Sequence, residues 1–425
     1  MKWVLLHLKE IGLIGAVAYG VGIIVGAGVY ALIGKAAGQA GNSVWLSFIL
    51  AAIVASFTGL SYAELSSMFP VSGAEYVYVE KAFRSDFWAF IIGWLVFLSG
   101  VISSSTVALG FGGYLMPYIG ISETLAAIIL IILLSSVNFW GIKESVRVNI
   151  ILTLMEVSGL ILVILFGVEF FGSVNYSEAP LGFRGIVSGA ALIFFAFIGF
   201  ESLAKMGEET KDPERTIPKA LIIALIISTI LYVLVALSVV SIIPYGQLAS
   251  STSPLADVAL KAQGPHAYLI LSIIALFATS NTVLIILIST SRIAYGMARE
   301  SSLPRIFSKV HKKTGTPWIA ILFTMLISSL FTLLGDIELV ANVTNFTTFL
   351  VFFSVNLALI SLRFKKAGKK EAFRSPLTIM NLPILAVFGA LSSLMMLLQF
   401  ELTVVIIAFL TMGLGAILYK SLPKT

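Results

Sequence analysis

Two carboxylates lie inside long apolar runs of this 425-residue sequence. Glu156 is the only charged residue between residues 149 and 167, and Glu201 follows Gly199 in a second apolar run. An ionised side chain at the centre of a membrane-spanning helix costs about 3 kcal/mol, so each group is a candidate for function. Burial disfavours the charged form of a carboxyl group, which makes the uptake and release of a proton its natural chemistry.

Each of these carboxylates also has a plainer interpretation. Glu156 either couples to a proton or a cation, or is a neutral structural hydrogen-bonding group, or lies out of line with any site. Glu201 either takes part in coupling or gating, or bridges an interrupted helix by accepting hydrogen bonds from freed N–H groups. A third acid, Glu64, lies beside Tyr62 close to the end of an apolar run, and we predict a structural role for it.

Glycine is unusually dense in the first apolar run. Seven glycines fall within the 23 residues 12–34, and two of them are Gly26 and Gly28. At about 1 kcal/mol per glycine relative to alanine, an unbroken helix is poorly supported here. Gly199 interrupts the run that carries Glu201 in a similar way. We therefore predict two broken helices.

A broken helix inside a membrane frees backbone groups that must line a cavity. The N-terminal end of the half-helix after the first break, near Ala27 and Gly28, offers N–H donors and a positive dipole to a carboxylate. Carbonyls freed at residues 21–24 and 195–198 can accept from an ammonium group. Backbone atoms alone would then bind both ends of an α-amino acid.

Other polar residues give weaker signals. Asn281 lies in an apolar run with Thr279, Ser280 and Thr282, whose oxygens either bind a sodium ion or simply pack helices. The chain has no cysteine, and its histidines lie near the ends of apolar runs: His7, His266 and His311. We predict no cofactor and no other metal centre, and no acid–base pair or nucleophile of an enzyme falls within one plausible pocket.

The elements that position these residues are membrane spans. Hydrophobic residues make up 59% of the chain and charged residues 11%, which excludes a water-soluble domain. Apolar runs long enough to cross a bilayer predict an all-α integral membrane protein with twelve spans. These are residues 11–34, 43–67, 87–116, 122–139, 148–168, 186–205, 218–243, 267–297, 318–335, 339–362, 381–400 and 402–419.

The basic residues lie almost wholly in the loops between these runs, which argues against a nucleic-acid partner. With the N-terminus inside, 24 of the 27 lysines and arginines fall on the cytoplasmic side, six of them in residues 363–374. Only Lys35, Arg184 and Lys261 fall outside. This asymmetry predicts a multi-pass protein of the cytoplasmic membrane, in contact with the lipid bilayer, with both termini cytoplasmic.

Six segments, taken in order, resemble the amino acid–polyamine–organocation (APC) superfamily of transporters, in particular its cationic-amino-acid-transporter-like branch. They are GAGVY (26–30), SYAEL (61–65), FPVSGAEY (69–76), GIKES (141–145), FAFIGFE (195–201) leading to EETKDPERTIP (208–218), and SR (291–292) through LP (303–304). The resemblance covers essentially the whole chain. It implies a LeuT-type fold in which two five-span repeats are inverted relative to each other. The repeats would be residues 1–170 and 171–366, and residues 367–425 would add two C-terminal spans.

The resemblance also implies an amino acid site between spans 1 and 6. The substrate carboxylate would lie on the backbone amides of residues 26–28, and the amine on carbonyls near Ile24, Phe195 and Ile198. Phe195 would pack on the substrate, and span 3 would contribute from Ser103. The predicted substrate-binding residues are Gly22, Ile23, Ile24, Gly26, Ala27, Gly28, Ser103, Phe195, Ile198 and Gly199.

One residue departs from the family pattern. Where many members carry a lysine in span 5, whose amine replaces a bound cation, this sequence has Glu156. A carboxylate cannot replace a cation, but it can hold a proton. We therefore expect uptake of amino acids by alternating access with proton coupling through Glu156 or Glu201. The alternatives are an amino acid exchanger, a sodium-coupled transporter, an amino acid sensor and a channel.

Overall fold

A computed structural model describes residues 11–69, 74–141, 146–204, 206, 210–299, 302–365 and 373–421. Parts of four predicted motifs, at 70–73, 142–145, 208–209 and 300–301, lie outside the described residues, as do residues 366–372 of the basic loop. Within the described residues, eight helical stretches are long and apolar enough to cross a membrane. Four shorter apolar helices accompany them. The architecture is that of an integral membrane protein.

The described residues in the first half of the chain form nine α-helices. They are α1 (Leu13–Ile24), α2 (Gly28–Ala40), α3 (Val44–Met68), α4 (Ala74–Phe83), α5 (Asp86–Ile119), α6 (Glu123–Trp140), α7 (Val146–Gly167), α8 (Gly182–Ile193) and α9 (Phe200–Ala204). A 3₁₀ helix, Phe194–Phe197, continues α8 toward α9.

The second half continues in the same way. It contains α10 (Pro213–Ile242), α11 (Tyr245–Ser250), α12 (Pro254–Gln263), α13 (Pro265–Arg299), α14 (Trp318–Thr332), α15 (Ile337–Phe364), α16 (Ile384–Leu397) and α17 (Leu402–Ser421). Between α15 and α16, strands β1 (Thr378–Ile379) and β2 (Leu382–Pro383) form a small antiparallel hairpin.

The helix is interrupted at both places where glycine predicted a break. The first predicted span is divided into α1 and α2, with residues 25–27 between them. The predicted span at 186–205 is divided into α8, the 3₁₀ helix and α9, with Ile198 and Gly199 between the last two. Gly199 has a φ of +124°, a conformation that side chains with a Cβ atom rarely adopt.

Several elements were not anticipated from apolar runs. Helices α4, α11 and α12 are short segments between predicted spans, and the β-hairpin occupies the start of the predicted span at 381–400. Pro383 precedes α16, which begins at Ile384. These segments are too short for a bilayer-length hydropathy window to detect, because about 20 residues are needed to cross the hydrocarbon core.

Candidate functional site

The two helix breaks lie against each other. A Cβ atom on Gly28 would lie 2.9 Å from the Cα atom of Ala196 and 3.2 Å from the ring of Phe195. A Cβ atom on Gly199 would overlap the side chain of Ile23 and lie 3.1 Å from the Ile23 carbonyl oxygen. Each break therefore uses a glycine to let the other approach, and four of the predicted site residues come together here.

A tyrosine on α10 joins the two breaks. The hydroxyl group of Tyr232 donates to the carbonyl oxygens of Ile24, at 2.6 Å, and of Ala196, at 3.0 Å. The tyrosine ring is fully buried, with its centroid 5.3 Å from that of Phe197. Sequence analysis missed Tyr232, because a single tyrosine in an apolar run gives no signal that distinguishes it from core.

The first break diverts the hydrogen bonds that would have continued α1. The N–H of Gly26 donates to the carbonyl of Ile24 at 2.8 Å, instead of to that of Gly22. The N–H of Ala27 points to the hydroxyl oxygen of Thr282 on α13, at 3.4 Å, instead of to the carbonyl of Ile23. The carbonyls of Gly22 and Ile23 thus lose their helical donors, whereas the Ile24 carbonyl already accepts two hydrogen bonds.

The far side of the first break is the start of α2. The first N–H groups of a helix have no carbonyl acceptor within the helix, and they carry its positive dipole end. Ala27 stands at the N-cap, and its side chain cannot accept a hydrogen bond from those groups. The start of α2, at Gly28, therefore has backbone N–H groups without helical acceptors, which is the chemistry that an anion requires.

Glu156 lies on α7, next to this break. It is only 2% exposed, and its carboxyl group accepts hydrogen bonds from the side chains of Asn281 and Thr282 on α13. Its Oε1 atom has no hydrogen-bond partner among the described residues. Tyr30 of α2 donates to the main-chain carbonyl of Glu156 at 2.6 Å. Glu156 thus contacts both α2, which begins at the break, and α13, whose Thr282 lies next to the N–H of Ala27.

The hydroxyl group of Thr282 connects these parts. It lies between the amide of Ala27 and the carboxyl group of Glu156, so it can accept from the first and donate to the second. Thr279, the other threonine named as a sodium ligand, donates instead to carbonyls of its own helix at Ala275 and Leu276. The structure brings Glu156, Asn281 and Thr282 together. The hydroxyl group of Thr279 instead forms its hydrogen bond within α13.

Glu201 lies at the second break. Its Oε2 atom accepts a hydrogen bond from the N–H of Gly199 at 2.9 Å, and the carboxylate stands in the first turn of α9. An acid in the first turn of a helix is stabilised by the helix dipole. The carboxylate of Glu201 thus accepts from one N–H group that the break has freed. This hydrogen bond is the one expected if Glu201 bridges the interrupted helix. It leaves a partly exposed carboxylate beside the site.

Helix α5, the predicted span 3, carries a row of small polar residues at 103–106. Ser104 and Ser105 hydrogen-bond to the side chain and the carbonyl of Ser328 on α14, at 2.8 and 2.7 Å. Ser103 is 7% exposed and takes no part in that contact with α14. Ser104 and Ser105 thus join α5 to α14 by hydrogen bonds. Ser103 is the one residue of the row that was predicted to contact the substrate.

The two sides of the breaks differ in exposure. Residues 28–34 of α2 are all buried, and α11 packs directly on this helix, where a Cβ atom on Gly38 would lie 2.6 Å from that of Ala249. By contrast, Gly22, Ile23 and Gly26 are partly exposed, as is Ile198. The residues on the α2 side of the breaks are therefore buried, whereas several on the α1 side are partly exposed.

No group of three or more histidine, aspartate or glutamate side chains in the described part of the chain is arranged to hold a metal ion. The polar groups next to the breaks are backbone amides and carbonyls, one buried carboxyl group and a few hydroxyl and amide groups.

Comparison with known proteins identifies the family of the chain. The sequence profile of the amino acid permease family matches residues 11–416. The chain belongs to this family, within the APC superfamily. It is accordingly a member of a group of membrane transporters, and amino acid transport is the function that the family membership supports.

Three relatives show the breadth of the family. The branched-chain amino acid permease BcaP of Bacillus subtilis is 31% identical to this chain, over 97% of this chain and 92% of the relative. The methylthioribose transporter of Bacillus subtilis is 31% identical, over 84% and 82% of the two chains. The vacuolar cationic amino acid transporter 2 of Arabidopsis thaliana is 33% identical, over 82% of this chain and 59% of the relative. The substrates after which these relatives are named differ in charge and chemistry.

Proposed function

We propose that the chain is a secondary active transporter that takes up amino acids across the cytoplasmic membrane together with protons. The observation that carries this proposal is the contact of Thr282 with both the Ala27 amide at the first break and the buried carboxyl group of Glu156. A change in the charge of Glu156 would therefore alter the hydrogen bonding of Thr282 with the backbone that would bind the substrate carboxylate.

A twelve-span arrangement would use the eight apolar helical stretches of bilayer length and the four shorter apolar helices. The stretch Gly28–Met68 contains α2 and α3, and α3 with its 25 residues is long enough to cross the bilayer core once. Helices α1 and α2 would then make one crossing together, as would α8 and α9. The remaining ten crossings would be α3, α5, α6, α7, α10, α13, α14, α15, α16 and α17.

The substrate would bind with its carboxylate at the start of α2, at Gly28, where N–H groups and the helix dipole favour an anion. Its ammonium group would be accepted by the carbonyls of Gly22 and Ile23, which have lost their helical donors, and by backbone carbonyls near Ile198. The Ile24 carbonyl is less suited to this role, since Tyr232 and Gly26 already donate to it.

Proton coupling would follow from the charge of Glu156. When ionised, its carboxylate accepts from Asn281 and Thr282, which holds Thr282 in place to accept from the amide of Ala27. When protonated, the carboxyl group is a weaker acceptor, so Thr282 and the break are released from this arrangement. The proton would be taken up from the outer side and released inward when the α1 side of the site hydrates.

Uptake of labelled L-leucine into proteoliposomes, with and without an inward proton gradient, tests the proposal. Glu156→Gln mimics the protonated group, so it should retain leucine binding and lose accumulation against a gradient. Glu156→Asp should keep accumulation with an altered pH dependence. The matched control is Glu169→Gln, an exposed carboxylate just beyond α7. If Glu156→Gln concentrates leucine as well as the parent protein, the proposed coupling role is wrong.

Exchange of internal for external amino acid is the second candidate function. The contacts of Glu156 with Asn281 and Thr282 would favour it if they stay intact throughout the cycle, because exchange needs no net movement of a proton. Proteoliposomes loaded with unlabelled leucine separate the two functions: an exchanger takes up label only when loaded and ignores the proton gradient. Replacement of sodium by potassium in the same assay tests sodium coupling through Asn281 and Thr282.

A further inference from the structure

The segment between α15 and α16 exposes a group of large apolar side chains. Leu377, Ile379 and Met380 are 65%, 63% and 94% exposed, and Phe364, at the end of α15, is 59% exposed. We call these four residues the hairpin patch. Large apolar side chains exposed side by side indicate contact with another molecule or with a membrane.

The hairpin is attached to two helices by hydrogen bonds. Thr378 accepts from Nη1 of Arg363 at 2.8 Å, and the N–H of Ser375 donates to the carboxylate of Glu64 at 2.8 Å. Arg363 of α15 and Glu64 of α3 are themselves joined by two hydrogen bonds of 2.6 Å. Because successive side chains of a strand point to opposite faces, Ile379 lies on the face opposite to Thr378. The attachment thus leaves the apolar face of the hairpin exposed.

Met380 lies at the turn of the hairpin. Met380 and Asn381 have φ values of +47° and +73°, as the two central residues of a type I′ turn require. Glycine, asparagine and aspartate are the usual residues at these positions, so a methionine is unexpected there. The amide of Asn381 donates to the carbonyl of Arg363 at 3.5 Å, which places the turn beside Phe364. A long apolar side chain therefore occupies a turn position where contacts within the protein do not bury it.

The exposed apolar surface continues along α16. This helix begins at Ile384, directly after β2, and its exposed apolar residues are Phe388, Leu391, Leu394 and Leu398. Their spacing of three or four residues makes one stripe along the helix. On a helix that is proposed to span the bilayer, such a stripe is the face that contacts lipid tails. The hairpin patch thus lies at the end of this stripe, where the bilayer meets water.

Two basic side chains flank the patch. Arg374 is exposed, and its Nη2 atom donates to Oδ1 of Asn381 in the turn at 3.0 Å. Lys365 is also exposed, and its Nζ atom donates to the carbonyl of Ala82 at the end of α4, at 2.6 Å. Guanidinium and ammonium groups have several N–H donors, so each can bind a phosphate oxygen while it keeps these contacts.

The adjoining end of α4 carries no excess of negative charge that would repel an anion. Lys81 and Arg84 are exposed there, and Lys81 pairs with Glu80 at 2.9 Å. Asp86 begins α5, so two bases stand against two acids. Trp88, in the first turn of α5, is 54% exposed. Since tryptophan is enriched where membrane meets water, this end of the protein has the composition of an interface.

We propose that the hairpin patch, together with Arg374 and Lys365, is a binding site for an anionic phospholipid of the cytoplasmic leaflet. The apolar side chains would contact the acyl chains below the headgroup, and the two cations would bind the phosphate. A zwitterionic phospholipid has the same tails but no net charge, so the two cations favour the anionic lipid. The proposal goes beyond amino acid transport, and it takes only its leaflet from the proposed topology.

A fluorescent label at the turn tests the site. The native chain has no cysteine, so Met380→Cys can be labelled alone with the apolar fluorophore NBD. The protein is placed, one copy per nanodisc, in phosphatidylcholine or in an equimolar mixture with phosphatidylglycerol. Both contain a nitroxide lipid whose quencher lies near the headgroup. Quenching should be stronger with phosphatidylglycerol, and high salt should reduce the difference, because salt screens the charges. Lys313→Cys, in the exposed segment between α13 and α14, is the labelled control and should show no such difference.

The possible results are decisive. Absence of quenching in both lipids would overturn the site, since the hairpin would then stay in water. Equal quenching in both lipids would also overturn it, because the contact would be apolar without a preference for an anion. A change of NBD emission only in discs with two protein copies would assign the patch to a protein–protein contact instead. These readouts need no transport, so failure of leucine uptake by the parent protein counts against the proposed function alone.

Charge variants test the role of Arg374. In the labelled protein, Arg374→Gln should raise the amount of phosphatidylglycerol needed for half-maximal quenching about fivefold, the effect of one basic side chain near an anionic surface. Arg374→Lys should keep most of the preference, which separates the charge from the contact with Asn381. Arg305→Gln, at an exposed arginine after α13, is the matched control. Full preference in Arg374→Gln, or its loss in Arg374→Lys, would contradict the proposed binding of the phosphate.

Discussion

The Tyr232 hydroxyl lies 2.6 Å from the Ile24 carbonyl oxygen, and this hydrogen bond connects α10 to the last residue of α1. The same hydroxyl reaches Ala196 in the 3₁₀ helix of the second break. One side chain therefore sets how far apart the two breaks lie. The spacing of the backbone groups that would bind the two ends of an amino acid depends on it.

Tyr232→Phe should weaken the binding of L-leucine by about tenfold, since removal of the hydroxyl leaves the carbonyls of Ile24 and Ala196 without this donor. The fold should be retained, because the ring still packs against Phe48 and Phe197. Binding is measured by scintillation proximity on purified protein. Tyr118→Phe, at an exposed tyrosine, is the control. Unchanged affinity in Tyr232→Phe would show that Tyr232 does not set the spacing of the breaks.

Gly199→Ala should abolish leucine uptake. The φ of +124° is strained for alanine, and the added methyl group would overlap Ile23 across the two breaks. We expect a cost of about 1–3 kcal/mol in local backbone strain, together with displacement of α1. Gly413→Ala on α17 is the control, since nothing lies within 4 Å of its Cβ position. Normal uptake by Gly199→Ala would mean that the contact between the breaks is not needed.

Thr282→Val should uncouple transport from the proton gradient. Valine keeps the shape of threonine but neither accepts from Ala27 nor donates to Glu156. Proton-driven accumulation of leucine should fall by about tenfold, while exchange in leucine-loaded liposomes persists. Thr279→Val is a matched control, because that hydroxyl group donates within its own helix. Equal losses in both variants would point to general damage to α13.

Topology is tested with single cysteines in the cysteine-free chain. Gly246→Cys lies at an exposed position of α11 with nothing within 4 Å, and Lys313→Cys lies in the exposed segment between α13 and α14. An impermeant maleimide should label Gly246→Cys from outside intact cells and Lys313→Cys only after permeabilisation. Labelling of both positions from the same side would refute the twelve-span arrangement.

Local features of the sequence were sufficient to predict several elements. A bilayer-length apolar run can be read within about 20 residues, because the hydrocarbon thickness sets the length of a span. The glycines around Gly26 and Gly199 likewise predicted the interruptions of the two helices, since helix propensity is a property of the residue itself. The start of α16 was misplaced, because residues 378–383 form a hairpin, whose Thr378 also accepts a hydrogen bond from Arg363 on α15.

The sequence by itself determined that a carboxylate, Glu156, lies in an apolar span and that two helices break. Only the tertiary structure decided that Thr282 lies between Glu156 and Ala27. It also decided that the Tyr232 hydroxyl donates to the Ile24 carbonyl, and that Glu64 pairs with Arg363. Tyr232 and Ile24 are 208 residues apart in the sequence. Ala27 and Thr282 are 255 residues apart, and Glu64 and Arg363 are 299 residues apart. Hydropathy and propensity act over a few helical turns, whereas contacts at such separations depend on how whole helices pack, since packing alone brings their side chains within hydrogen-bonding distance.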